Sequence, residues 1–245
     1  MISVRQLRKT LGTNEVLRGV DLDIASGETC VIIGRSGCGK SVLLKHLIGL
    51  FKPTSGEVWV EGENVTFLPE RRLGSLRKKL GMLFQSGALF DSMNVEENIA
   101  FPLRESGLKD AKEIHARVAE ALEMVDLAGE QKKMPEDLSG GMRKRVGLAR
   151  TIVSRPVCIL FDEPTTGLDP IASDSINHLI RRLQKKLAVT SVVVTHDMKT
   201  AFHTADRIAY LHEGRIYFHG LPSELQASKD EVIVNFIEGH SGDSD

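Results

Sequence analysis

The sequence predicts an α/β fold with a mostly parallel core sheet, an antiparallel β-subdomain near its amino end and an inserted helical subdomain. Residues 81–84, 157–161, 190–195 and 206–211 are compact apolar runs separated by helical stretches, as parallel strands covered on both faces require. The amino-terminal stretch instead alternates apolar and polar residues, the pattern of half-buried antiparallel strands. Between residues 86 and 154 the apolar residues recur at helical spacing.

Taken in order, Ile2, Val4 and Leu7 open a first strand, and residues 16–24 set Val20, Leu22 and Ile24 on one face of a second. A third strand covers residues 28–33. Lys52, Pro53, Thr54, Ser55 and Gly56 make a turn, after which residues 56–62 alternate Val58 and Val60 against Glu57, Trp59 and Glu61. The cluster Arg71, Arg72, Arg77, Lys78 and Lys79 reads as a solvated helix face. Residues 109–125 repeat Ile114, Val118, Leu122 and Val125, and residues 139–154 repeat Met142, Val146, Ala149 and Val153, so each forms an amphipathic helix. The expected organisation is one domain: residues 1–85 and 155–220 as the core with its β-subdomain, 86–154 as the helical subdomain, and 221–245 as a carboxyl-terminal helix and tail. In that last segment Val232, Ile233, Phe236 and Ile237 form an apolar stripe. It either folds onto its own domain or clasps another subunit or a small regulatory partner. The polar residues 240–245 are expected to fray.

Composition narrows the function. Thirty-two Lys and Arg stand against thirty-three Asp and Glu, for a net charge of -1, so no basic excess exists to drive nucleic-acid binding. Cys30, Cys38 and Cys158 lack metal-ligand spacing and read as reduced, cytosolic thiols. The opening MISVRQLRKT has no apolar signal core, and the longest apolar stretches run about five residues against the roughly 20 of a membrane span. This chain is therefore not expected to cross a bilayer alone.

The segment GRSGCGKS, residues 34–41, has the spacing G-x-x-x-x-G-K-[ST] between an apolar run and a helical stretch. Glycines let successive N–H groups turn toward phosphate oxygens, and the helix that follows adds its positive dipole end. Gly34, Arg35, Ser36, Gly37, Cys38, Gly39, Lys40, Ser41 and Val42 are thus the expected phosphate cradle. Lys40 would reach the β- and γ-phosphates, and the Ser41 hydroxyl would ligate Mg²⁺. A second piece is the apolar run 158–161 ending in Asp162 and Glu163. Acids after an apolar strand are also ordinary loop residues; beside a phosphate loop, Asp162 would hold Mg²⁺ and Glu163 would polarise the water attacking the γ-phosphate. A third piece is Leu138-Ser139-Gly140-Gly141-Met142 at a helix start, where Ser139 is a natural N-cap and the glycines let an anion approach the first N–H groups. Gln85 after the strand 81–84, Asp169 after Glu163, and His196 at the end of the strand 191–195 fall where phosphate sensors are needed.

Together these motifs resemble the ATP-binding-cassette ATPases over essentially the whole chain: Walker A at 34–41, Q-loop Gln85, signature 138–142, Walker B at 158–162, catalytic Glu163, D-loop Asp169 and switch His196. The resemblance implies ATP and Mg²⁺ as cofactors, with Ser41, Gln85 and Asp162 toward the metal. It also implies a homodimer that sandwiches two ATP molecules, in which Ser139, Gly140 and Gly141 of one copy face the phosphate loop of the other. Glu163, His196 and Gln85 would then act on the attacking water. Two positions depart from the family pattern. Leu11 stands where an aromatic residue often stacks on adenine, so adenine would be bound more weakly, unless Leu11 and Val16 hold the ring by apolar contact. Met142 ends the signature in place of Gln. No N-K-x-D string is present to read guanine.

In finer wording, GMLFQSGALFDSMNVEENIAFPLRE, LSGGMRKRVGLAR and VVVTHDM look like the Mla/Mkl-type ATPases that serve MCE-protein lipid transporters. That implies phospholipid-like cargo moved between membranes, with a permease and an MCE-type lipid-binding partner. Residues 85–103, with Phe90, Met93, Ile99 and Phe101, would accept a short permease helix, or pack the insert. The alternatives are another importer or exporter, a regulator of a membrane-linked enzyme, and a cassette acting on DNA or ribosomes. The balanced charge and single uninterrupted cassette argue against the last, and no nucleic-acid partner is expected.

Overall fold

The computed structural model describes residues 1–85 and 87–240. Ser86 and the tail beyond His240, including most of the stretch expected to fray, lie outside the described residues. The chain forms two compact units, Met1–Pro69 with the chain from Val192 on, and Glu70–Ser191.

In the first unit the amino-terminal strands are antiparallel, as the alternation predicts. β1 (Ile2–Leu11) pairs with β2 (Asn14–Ile24), Ile2 opposite Ile24 and Leu11 opposite Asn14, so the hairpin closes at Gly12 and Thr13. β4 (Ser55–Val60) lies on the other side of β1 and starts inside the stretch expected to be only turn. Val4, Leu7, Val20, Leu22, Val58 and Val60 are each 2% exposed or less. Burying side chains of this size stabilises by about 1.5–3 kcal/mol apiece. A second layer holds β3 (Thr29–Ile33) parallel to β9 (Arg207–His212), with β10 (Arg215–Gly220) antiparallel on the outside and β8 (Thr190–Thr195) on the far side of β3. Every residue of β3 and β8 is buried, including Thr29, Thr190, Ser191 and Thr195, so neither strand shows the alternation of the amino-terminal strands.

At the carboxyl end of this unit the apolar stripe is covered in part by its own unit. In α9 (Glu231–Glu238) Ile233 is buried, and the Phe236 ring stacks on Tyr210 of β9 at 4.6 Å and 25°. Asp230 caps the helix through Val232 N and Ile233 N and accepts from the Tyr217 hydroxyl at 2.9 Å. The stripe folds onto its own unit.

The second unit begins with α2 (Glu70–Lys79), which buries Leu73 and Leu76 and leaves Arg71, Arg72, Lys78 and Lys79 in solvent, the solvated face expected of it. β6 (Leu80–Leu83) runs parallel to β7 (Cys158–Asp162), Leu83 opposite Phe161. Between them α3 (Val95–Glu105), α4 (Ala111–Met124) and α5 (Gly140–Ile152) pack on one another. The two helices legible from periodicity are present within two residues of their expected ends. α3 has no comparable sequence period; Asn94 and Glu97 start it as a reciprocal capping box despite Pro102 within it. α6 (Pro170–Leu187) follows, and Asp126, after α4, binds Arg145 of α5 and Arg182 of α6, each at 2.7 Å.

Candidate functional site

The residues singled out from sequence fall into two sets, one in each unit. In the first unit the phosphate loop leaves β3 and enters α1 (Lys40–Leu47). Gly34, at φ 159°, has no room for a side chain: a Cβ there would lie 2.5 Å from Leu211 O and 2.6 Å from Cys38 Sγ. Gly39, at φ 107°, is equally constrained, since its Cβ would come within 3.0 Å of Val16 and Leu17. Val16 thus packs against the exit of the loop. The Lys40 side chain is buried, and its ammonium donates to Gly34 O at 2.8 Å and Arg35 O at 3.1 Å. The cation is therefore held inside the curve of the loop, where the backbone N–H groups and the α1 dipole also favour negative charge. Arg35, Ser36 and Gly37 line the outer rim in solvent, Ser41 and Val42 begin α1 half-buried, and Cys38, also half-buried, closes a turn on Arg35 O. Leu11 is 42% exposed at the end of β1, an apolar side chain the core does not use. His196 follows β8 in solvent, just before Asp197 caps α7 (Met198–Thr204).

In the second unit Ser139 caps α5, its hydroxyl oxygen accepting from Met142 N at 3.2 Å. That leaves the hydroxyl proton to point outward as a donor. Gly140 and Gly141 differ from the glycines of the phosphate loop. A Cβ on Gly140 would meet only Leu168 at 3.4 Å, and one on Gly141 only Ala172 at 3.8 Å, both ordinary contacts. Among the described residues, no neighbour excludes a side chain at either position. The same contacts place the signature beside the loop carrying Asp169, whose carboxylate caps α6 through Ile171 N and Ala172 N.

At the end of β7, Asp162 and Glu163 are half-buried. Glu163 sits at φ 49°, a left-handed conformation uncommon for its residue type, and its carboxylate accepts from the Thr166 hydroxyl at 3.4 Å. Gln85 is exposed directly after β6 and the following residue. One residue the sequence reading missed lies among these: Lys144 of α5, 4% exposed, donates a short hydrogen bond to Gln85 O and a longer one, 3.5 Å, to Glu163 O. Burial pulls its pKa down, and the charges of Glu163 and Asp162 oppose that shift. In sequence it stands in Arg-Lys-Arg, which reads as a solvent-facing basic run.

Of the expected docking stretch, Ile99 is fully buried and belongs to the packing of the insert. Phe90 and Phe101 are in contact at 4.9 Å and line a groove of about 810 Å³ with Phe84, Pro102 and Leu103. Asn98, also buried, shapes its rim by bonding Phe90 N, Phe90 O and Met93 O. Among the described residues no helix is long and apolar enough to cross a membrane.

Comparison with known proteins gives the same reading. The ABC transporter family model matches residues 17–166. The probable ribonucleotide transport ATP-binding protein mkl of Mycobacterium leprae is 41% identical over 238 residues, 97% of this chain and 69% of that protein. The intermembrane phospholipid transport system ATP-binding protein MlaF of Escherichia coli K12 is 40% identical over 239 residues, 98% of this chain and 89% of that protein. Among solved structures, the dimeric post-hydrolysis ATP-binding cassette MJ0796 with ADP and Pi is 33% identical, covering 91% of this chain and 99% of that one at a TM-score of 0.82. With its phosphate loop, signature helix and paired acids in these positions, the chain belongs to the ABC transporter ATP-binding family and is an ATP hydrolase.

Proposed function

We propose that this chain is the ATPase subunit of a transporter that moves phospholipid-like cargo between membranes, working as a homodimer at the cytoplasmic face of the membrane. The observation that carries the dimer is the freedom around Gly140 and Gly141: their N–H groups and the Ser139 hydroxyl form a donor set shaped for an anion that the chain itself does not supply. The phosphate loop of a second copy brings that anion. Lys40 and the loop from Gly34 to Val42 bind the phosphates, and Leu11 and Val16 hold the adenine by apolar contact. Glu163 takes the proton of the attacking water, with His196 and Gln85 orienting it; Asp169 lines the seam between copies. Preorganised donors such as Ser139 are worth roughly 3 kcal/mol in the transition state when aimed at developing charge.

Ser41, Asp162 and Gln85 each offer an oxygen, the ligand type that Mg²⁺ selects, and would hold that ion. When bound it neutralises charge on the β- and γ-phosphates. The groove at Phe90 and Phe101, rimmed by Arg77, Arg117 and Arg150, suits the apolar face of a short helix from a permease with acidic residues at its edges. An MCE-type lipid-binding protein, and a small regulatory subunit, complete the complex.

Lipid cargo is supported by the match to the Escherichia coli phospholipid system, which spans 89% of that protein against 69% of the mycobacterial one, while the name of the mycobacterial relative favours a second reading, ribonucleotide transport. The test is to purify the Glu163→Gln form from membranes with ATP. A trapped dimer bringing a permease and a protein loaded with phospholipid is the expected result. A companion cargo-binding protein loaded with a ribonucleotide other than the added ATP, and free of lipid, overturns the cargo, and a monomer that retains ATP turnover overturns the mechanism.

A further inference from the structure

We infer that Lys144 is a positioning residue that ties the Gln85 loop to the backbone of Glu163, so that the state of the loop sets the rate of hydrolysis. The inference rests on the roles proposed above for Gln85 and Glu163. Its basis is geometric. Lys144 stands five residues after Ser139 on α5, is almost fully buried, and directs its ammonium to two main-chain oxygens, those of Gln85 and Glu163. One side chain thereby joins the signature helix, the Q-loop and the end of β7. Burying an ammonium is unfavourable, and an apolar side chain of similar volume is commonly as stable or more so. A lysine here is explained by what it holds.

Two further observations agree. The loop and the helix are shaped to meet: a Cβ on Gly147 would crowd Gly87 O at 3.1 Å, a Cβ on Gly87 would crowd Arg143 O at 3.1 Å, and Arg150 donates to Gly87 O at 2.9 Å. The close approach puts the Lys144 ammonium within reach of Gln85 O. In addition, Glu163 occupies a left-handed conformation that is unfavourable for its residue type and persists only where its surroundings fix it. Its carbonyl is the group that Lys144 holds. A partner that draws Gln85 and Gly87 away from α5 would shift Lys144 and let the Glu163 carboxylate swing out of line.

The test compares Lys144→Met, which keeps volume and loses the donors, with Lys144→Arg, which keeps charge and donors, in steady-state ATP hydrolysis by the purified full chain. The expected result for Lys144→Met is a fall in kcat of at least tenfold, KM for ATP within twofold and an unchanged melting temperature, with most of the rate restored in Lys144→Arg. Either a kcat within twofold of the parent, or a parallel loss of kcat, ATP affinity and melting temperature that Lys144→Arg does not rescue, overturns the inference. Should Lys144→Met not fold, Lys144→Gln is read by the same criteria. Glu163→Gln measured alongside separates the two levels: if it retains turnover the underlying reading fails, and if it loses turnover while Lys144→Met keeps it, only the role of Lys144 fails.

Discussion

The phosphate loop and the signature segment are both glycine-rich turns feeding a helix, yet the chain uses their glycines differently. Gly34 and Gly39 are fixed from inside: positive φ and neighbouring atoms leave a side chain no place, and the Lys40 ammonium bonds back to the loop it serves. Gly140 and Gly141 have ordinary space around a hypothetical Cβ and no left-handed backbone. The first is braced within its own chain. The second leaves its helix start open, and in the proposed dimer it would be half of a site that another copy completes. Substitutions that separate stability from activity sharpen this contrast.

Lys40→Ala has the largest expected effect, because it removes both the phosphate charge and the two bonds that brace the loop; hydrolysis should fall by roughly 10²–10³-fold, with weakened nucleotide binding by calorimetry and a lower melting temperature. Gly141→Ala should lose about 10²-fold in kcat by obstructing the approaching phosphate, while its melting temperature stays level or rises, since alanine is favoured over glycine in a helix by up to about 1 kcal/mol. If Gly141→Ala were fully active, the contrast between the two segments would break. Leu11→Trp should tighten ATP by about 1 kcal/mol, near fivefold, by restoring an aromatic surface for the base, measured as a shift in Kd with kcat unchanged.

The smallest effect concerns the brace of the signature helix. Hydrogen bonds from Arg182 first, and then from Arg145, hold the Asp126 carboxyl below its ordinary 3.8. A folded-state pKa below the unfolded one gives stability that is complete above the unfolded value and lost as pH falls through the folded one. Asp126 is half exposed, so screening limits the pair to about 0.5 kcal/mol. Asp126→Asn should therefore melt slightly earlier at pH 7, by calorimetry, and the difference from the parent should shrink as the pH is taken below the ordinary carboxyl value of 3.8.

Most of the fold was legible because its strands are buried on one face or on both, and each case leaves its own period. β3, β7 and β8 appear as apolar runs, β4 as alternation, and α4 and α5 as helical stripes. α3 was not legible, because its buried face includes Asn98, a polar residue that spends its bonds on the preceding loop. The site motifs were legible where spacing itself makes the chemistry, as in the phosphate loop. Lys144 was not, since a lysine between two arginines carries no sign of burial; only tertiary packing through Gly87 and Gly147 turns it inward. The fate of the α9 stripe also needed the fold, because Tyr210, which covers Phe236, lies in a strand far back in the chain.

The measurement that bears most directly on the split between the two segments mixes two inactive forms. Ser139→Ala chains keep an intact phosphate loop, and Lys40→Ala chains keep an intact signature. If each ATP is hydrolysed between the loop of one copy and the signature of another, the equimolar mixture contains pairs with one complete site, and its turnover should rise well above the sum of the separate forms. A mixture no more active than its components would show that the signature acts within its own chain.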